Sequence, residues 1–198
     1  MRKILALIPI LAFASVVLAQ APSAAKATQA PHFTPRPAGE FVIHMTDGSQ
    51  KLLSSYRGKV VVMAFMYTTC THCQHTAGIL AKINTQYAGK GVQILGDTID
   101  SGAAQGIATF LKITGANFPV GYSTSEQALR FLHGPQDGWF VPMLAFIDRN
   151  GLVRSQYIVT DTDDSANKFL EDQEVTIPKE IDRLLKMPAT ATKQAPKS

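Results

Sequence analysis

Val60-Val61-Val62-Met63-Ala64-Phe65-Met66-Tyr67-Thr68-Thr69-Cys70-Thr71-His72-Cys73-Gln74-His75 is the stretch on which the fold turns. An apolar run rich in strand formers leads up to the two cysteines of the protein. Beyond them Ile79, Leu80, Ile83 and Tyr87 recur on one helical stripe. The pair therefore stands where a buried strand ends and a helix begins. The first turn of a helix offers unpaired N–H groups and the positive end of the macrodipole. A thiolate at Cys70 is expected to be stabilised there, with Cys73 almost a turn further in and facing back towards it. That is the geometry of an attacking thiol (Cys70) and a resolving thiol (Cys73), and Cys-x-x-Cys between a strand and a helix is a strong redox signal.

Three other uses of the pair fit less well. A structural disulfide would close so small a loop that it constrains the unfolded chain little. Haem attachment needs His directly after the second cysteine, where this chain has Gln74. A metal site could draw on Cys70, His72, Cys73 and His75, but structural zinc usually takes a second ligand pair. No further cysteine exists, and His32, His44 and His133 are scattered.

Outward from this stretch, the N-terminus reads as an export signal. Arg2-Lys3 precedes the apolar run Ile4 to Leu18, which closes on small residues at Ala19. Residues 1–19 are expected to be a signal peptide; an uncleaved N-terminal anchor is the alternative, although the run is short of the roughly 20 residues a spanning helix needs. Export to the periplasm or the outside of the cell envelope permits disulfide chemistry. The formal net charge is +4, of which Arg2 and Lys3 supply two, so the remaining chain carries +2. No Lys/Arg cluster with interleaved aromatics is present, and nucleic-acid binding has no support. Residues 20–39, rich in Ala and Pro, are expected to be a linker, residues 40–187 one domain, and residues 188–198 a disordered tail.

Within the domain, strands are expected at 40–45, 59–67 and 92–99, with helices at 70–87, 101–113 and 124–133. Ile107, Phe110, Leu111 and Ile113 are placed on the inner side of the second helix, and Ser123 or Ser125 at the start of the third. This alternation implies parallel strands. Strands at 143–147 and 152–159 then flank Asp148-Arg149-Asn150-Gly151, where Asn-Gly supplies the positive φ angles of a tight hairpin. Val141-Pro142 opens that hairpin, at a place where proline costs no ladder bond. A last helical region is anchored by Phe169 and Leu170, then by Ile181, Leu184 and Leu185, its second part begun by Pro178.

With these pieces in order, the chain resembles the thioredoxin fold, and within it the exported TlpA-like branch, also described as redoxin or AhpC/TSA-type domains. The matching residues are Gly58-Lys59-Val60-Val61-Val62, Cys70-Thr71-His72-Cys73, Val141-Pro142 and Phe146-Ile147-Asp148-Arg149-Asn150-Gly151, across roughly Phe41 to Lys186. The resemblance implies an α/β fold with a central mixed β-sheet flanked by helices. It also implies an extra strand and helix between the Cys-x-x-Cys helix and the cis-proline. It further implies Cys70 as nucleophile, Cys73 as resolving thiol, Pro142 as the cis-proline facing them, and Val141 as the residue whose backbone meets a substrate. The chain departs from that pattern at Thr69, where relatives have Trp, at Ala64, where they have Asp or Asn, and at Gly78, where thioredoxins have a helix-kinking Pro.

The expected activity is thiol–disulfide exchange with protein or peptide partners through a mixed disulfide on Cys70, with no bound cofactor and with a membrane-bound electron donor as a candidate partner. His72, between the cysteines, is expected to tune the pair. His at this place also occurs in oxidising DsbA-type proteins, whereas TlpA-like relatives mostly reduce, so the direction of electron flow stays open. Two alternatives remain: a peroxiredoxin-like peroxidase, disfavoured because Tyr67-Thr68-Thr69 lacks the usual Pro, and a copper- or zinc-binding module, since soft thiolates suit Cu(I).

Overall fold

The computed structural model describes residues 33–162 and 164–189. The expected signal peptide lies outside them, as do the greater parts of the expected linker and tail.

Burial of the run Val60–Met66 organises the domain. This strand, β4, is buried along its whole length. Its neighbours are β5 (Val92–Thr98), parallel to it, and β7 (Trp139–Ile147), antiparallel. Beyond β5 lie β6 (Val120–Tyr122), again parallel, then β2 (Val42–His44) and β3 (Gln50–Leu52). Beyond β7 lie β8 (Leu152–Thr160) and the short β1 (Arg36–Pro37). Among the described residues this makes one mixed sheet in the order β1-β8-β7-β4-β5-β6-β2-β3. The helices are α1 (Thr71–Gln86), α2 (Ala103–Thr114), α3 (Ser125–Leu132), α4 (Asp164–Glu171) and α5 (Gln173–Leu185). Between β5 and the hairpin β7–β8 the chain runs α2, β6 and α3, which accommodates the expected extra strand and helix.

Alternation along β4 splits the core in two. Val60, Val62, Ala64 and Met66 face α1, α2, α4 and α5, with Leu80, Phe110, Phe169 and Ile181. Val61, Met63 and Phe65 face the other side, with Ile43, Phe131 and Leu132 from β2 and α3. Each large apolar side chain fully withdrawn from water contributes about 1.5–3 kcal/mol. The strand end that carries the cysteines is therefore anchored from both faces.

Several local expectations change. Within the stretch given to the linker on composition, Arg36–Pro37 join the sheet opposite Val153 and Leu152, and Ala38 after them is buried. The Arg36 guanidinium donates to Phe131 O at 2.7 Å and to Gln156 Oε1 at 2.9 Å, contacts no composition encodes. At the hairpin only Gly151 takes positive φ; Asn150 does not. Gly151 N–H donates to Asp148 O, and Asp148 N–H to Leu152 O, which is a type I turn closed by a glycine bulge. Pro142 lies inside β7, where the β8 register breaks between Phe140 and Leu144, so it removes no ladder bond even there. Pro178 is likewise inside α5, because that helix begins earlier, at Gln173. Ile113 points to solvent, 59 % exposed, since α2 turns its stripe through Ala103, Ile107 and Phe110. Thr124, rather than either neighbouring serine, caps α3 through a reciprocal capping box with Gln127.

Candidate active site

The chain leaves β4 at Met66 and enters α1 with Cys70 as the N-cap residue, in extended backbone conformation. Cys70 Sγ accepts the N–H of Cys73 at 3.3 Å, the place an Asp or Ser oxygen takes in an ordinary cap. The sulfur thus sits where the helix supplies partial positive charge. Cys70 is half-buried, Cys73 fully buried, and both thiols are free. Cys73 Sγ accepts the N–H of Tyr67 at 3.4 Å. Burial pushes the Cys73 thiol well up; the neighbouring Cys70 sulfur adds to this, and the Tyr67 N–H opposes it.

The intervening loop is clamped by residues that spacing did not point to. Asp100, just past β5, accepts the Thr68 N–H at 2.9 Å on one carboxylate oxygen and the Thr68 hydroxyl at 2.6 Å on the other. Gln74 Nε2 donates to Thr68 O at 3.0 Å. Gly106 of α2 packs directly on Thr68: a Cβ there would lie 2.6 Å from Thr68 Oγ1. The sequence signal for this clamp is faint, since Asp100 and Thr68 are 32 residues apart.

Facing the cysteines, the Val141–Pro142 bond is cis, and the Cys70 thiol points at Val141 O, 3.8 Å away. Pro142 is buried and Val141 half-buried. Cys70, His72, Val141 and Pro142 all line one cleft of about 930 Å³; Cys73 lies behind it. Tyr67 and Trp139 meet edge to face in its lining, ring centroids 6.4 Å apart. Phe140 lines it too and is 49 % exposed. The wall across from α1 comes from α4 and the first residue of α5: Asp164, Asn167, Leu170, Glu171 and Gln173. Tyr157 of β8 stacks on Phe169 of α4 at 3.6 Å and holds that wall in place. No motif marked this wall. Among the described residues, no group of three or more His, Cys, Asp or Glu is placed to hold a metal ion.

A half-buried sulfur at a helix start, a buried partner behind it and a cis-proline across from both define a thioredoxin-like fold carrying a Cys-x-x-Cys centre. Residues 25–172 match the Redoxin family model, three-quarters of the chain, and the protein belongs to the Redoxin family. The chain is 28 % identical over 135 residues to the thiol-disulfide oxidoreductase ResA of Geobacillus kaustophilus, covering 68 % of this chain and 74 % of that one. A thioredoxin-family thiol:disulfide interchange protein of Chlorobium tepidum superimposes with a TM-score of 0.59 at 21 % identity, over 78 % of this chain and 99 % of that one. A secreted disulfide oxidoreductase of Mycobacterium tuberculosis does so at 0.53 and 16 %, over 73 % and 96 %.

Proposed function

We propose that the protein is an exported thiol–disulfide oxidoreductase acting on protein or peptide disulfides, with Cys70 as nucleophile and Cys73 as resolving thiol. The observation that carries this reading is the asymmetry of the pair. Cys70 Sγ lines the cleft and takes the Cys73 N–H, while Cys73 Sγ is fully buried. Likeness to the ResA oxidoreductases supports it.

The steps follow from that asymmetry. The Cys70 thiolate attacks one sulfur of the substrate disulfide; the substrate S–S bond breaks, and the departing thiolate takes a proton. Cys73 keeps its proton meanwhile, because its burial disfavours the thiolate. Once Cys70 is tied up in the mixed disulfide, Cys73 gives up its proton and attacks Cys70 Sγ. The second substrate sulfur leaves and takes a proton; two electrons have passed from the cysteine pair to the substrate, one of the two protons coming from Cys73 and the other from the water that received the Cys70 proton. With an oxidised pair the same steps run in reverse. Val141 offers its backbone to a substrate segment beside Cys70, and Pro142 shapes the facing wall. His72, exposed at the first turn of α1, tunes the balance between dithiol and disulfide.

Export rests on the Arg2-Lys3, Ile4-to-Leu18 and Ala19 pattern, and a membrane-bound thiol donor is the proposed source of electrons. Among the described residues no helix is long and apolar enough to cross a membrane.

Trapping tests the roles. Cys73→Ser is expected to accumulate a mixed disulfide through Cys70 on non-reducing gels, and Cys70→Ser to accumulate none. Equal trapping by the two variants would overturn the assignment.

A further inference from the structure

The α4 wall of the cleft carries carboxylates with no cation beside them among the described residues. Asp164, Asn167 and Glu171 fall on one helical face and line the cleft together. Asp164 and Glu171 are exposed, and neither forms an ion pair among the described residues. Glu174, just beyond them on α5, contrasts with this: it pairs with Lys82 at 3.0 Å. Asp164 in the first turn of α4 suits the helix dipole, but Glu171 is the last residue of that helix, where a carboxylate is locally unfavourable. Local stability does not account for its presence.

A second observation is independent of these carboxylates. Thr76 is fully buried and Gln173 is 7 % exposed, and both line the same cleft. Thr76 Oγ1 and Gln173 Oε1 have no hydrogen-bond partner among the described residues. Buried polar atoms are normally paired, and an orphaned one costs about 1–3 kcal/mol. Among the described residues no Lys or Arg lines the cleft. His72 and His75 line the α1 side, and the surface between the two sides, with Tyr67, Trp139, Phe140 and Leu170, is apolar and aromatic.

We infer that the cleft selects a cationic peptide disulfide: an extended segment whose cysteine meets Cys70 and whose nearby Lys or Arg side chain lies against Asp164, Glu171 and the Gln173 oxygen. An Arg or Lys side chain brings several N–H donors and no acceptor, the complement of the two carboxylates and the Gln173 oxygen. Its aliphatic stem covers Leu170 and the exposed Phe140, whose ring face also attracts the charge. This deepens the reading of the protein as an oxidoreductase and rests on it.

The test uses the full chain in its reduced form and two synthetic disulfide peptides that differ only in Arg against Gln two residues from the cysteine. The readout is the ratio of their exchange rates, taken within each protein variant. In the wild type at low salt the Arg peptide is expected to react roughly five-fold faster, as suits partly exposed charge pairs. The ratio should fall towards one as salt rises, because screening shortens the reach of exposed charges. Asp164→Asn with Glu171→Gln should bring the ratio close to one at low salt. Glu171→Lys should turn it below one when the second peptide carries Glu in place of Gln. A wild-type ratio near one, or a ratio that survives both carboxylate changes, overturns the inference. Failure of the wild type to exchange with either peptide would instead overturn the oxidoreductase reading beneath it.

Discussion

The two walls of the cleft are built on opposite terms. On the cysteine wall the polar groups of the loop are engaged: Thr68 gives its N–H and hydroxyl to Asp100 and takes Gln74 on its carbonyl. On the α4 wall, Glu171, Asp164 and the Gln173 oxygen stand without partners among the described residues. A reacting sulfur must be held in one place, so its support is satisfied internally. A recognition surface must keep hydrogen-bonding capacity for a ligand. The same contrast recurs within three residues of β5 and the turn after it. Asp100 has both oxygens in use, whereas Asp97, fully buried, takes the Ser123 hydroxyl on one oxygen and has no partner among the described residues for the other.

Cutting the clamp is the strongest way to break the comparison. Asp100→Ala orphans the N–H and hydroxyl of Thr68, which is 6 % exposed; at about 1–3 kcal/mol per buried group, a loss of about 3 kcal/mol is expected from urea unfolding. Asp100→Asn keeps an acceptor for the N–H and should recover most of both the stability and the exchange rate. If Asn is no better than Ala, the carboxylate charge rather than the clamp is what the loop requires.

A gentler blow falls on the same loop from α2. Gly106→Ala would drive a Cβ to 2.6 Å from Thr68 Oγ1, so helix or loop must shift. Overpacking of this kind costs about 1–3 kcal/mol. Calorimetry should show a lowered Tm, and the exchange rate should fall with it. A variant with full activity and unchanged Tm would mean that the loop is not held tightly after all.

Asp97 sharpens the comparison through pH. Burial raises its pKa to about 7, with the Ser123 hydroxyl opposing, against an ordinary value near 4 in the unfolded chain. Between those values the folded protein holds a proton that the unfolded chain has released. The stability from this group is therefore complete at low pH, declines as pH rises, and is gone above about 7. The slope is at most about 1.4 kcal/mol per pH unit. Asp97→Asn should remove this component, so the difference in urea midpoint between wild type and variant should vary from pH 4.5 to 7 and level off beyond it. A constant difference would show that Asp97 stays charged in the fold.

Why some of this was legible before the structure and some was not follows from distance along the chain. The run 60–66 is apolar on both faces, and only the middle of a sheet accepts such a strand. The stripe after Cys73 repeats within a few residues, so local periodicity carried α1 and the placement of both cysteines. Val141-Pro142 was visible only through resemblance, because its meaning lies in a contact 71 residues away with Cys70. The β1 strand has no local signal for the same reason: an Ala- and Pro-rich segment has no pattern, and only pairing with Val153 and Leu152 makes it a strand.

What the sequence determined by itself is the chemistry: two cysteines a helical turn apart at the end of a buried strand, a local arrangement dictated by burial and period. What only the tertiary structure decided is how that chemistry is held and what it meets. Asp100 reaches back over 32 residues to Thr68, α4 folds over β8 through Tyr157 and Phe169, and Glu171 thereby joins Cys70 on one cleft. Such contacts depend on how layers pack rather than on neighbours in the chain. The burial that drives the packing is non-directional, so the pattern of apolar residues does not name the polar partners it brings together.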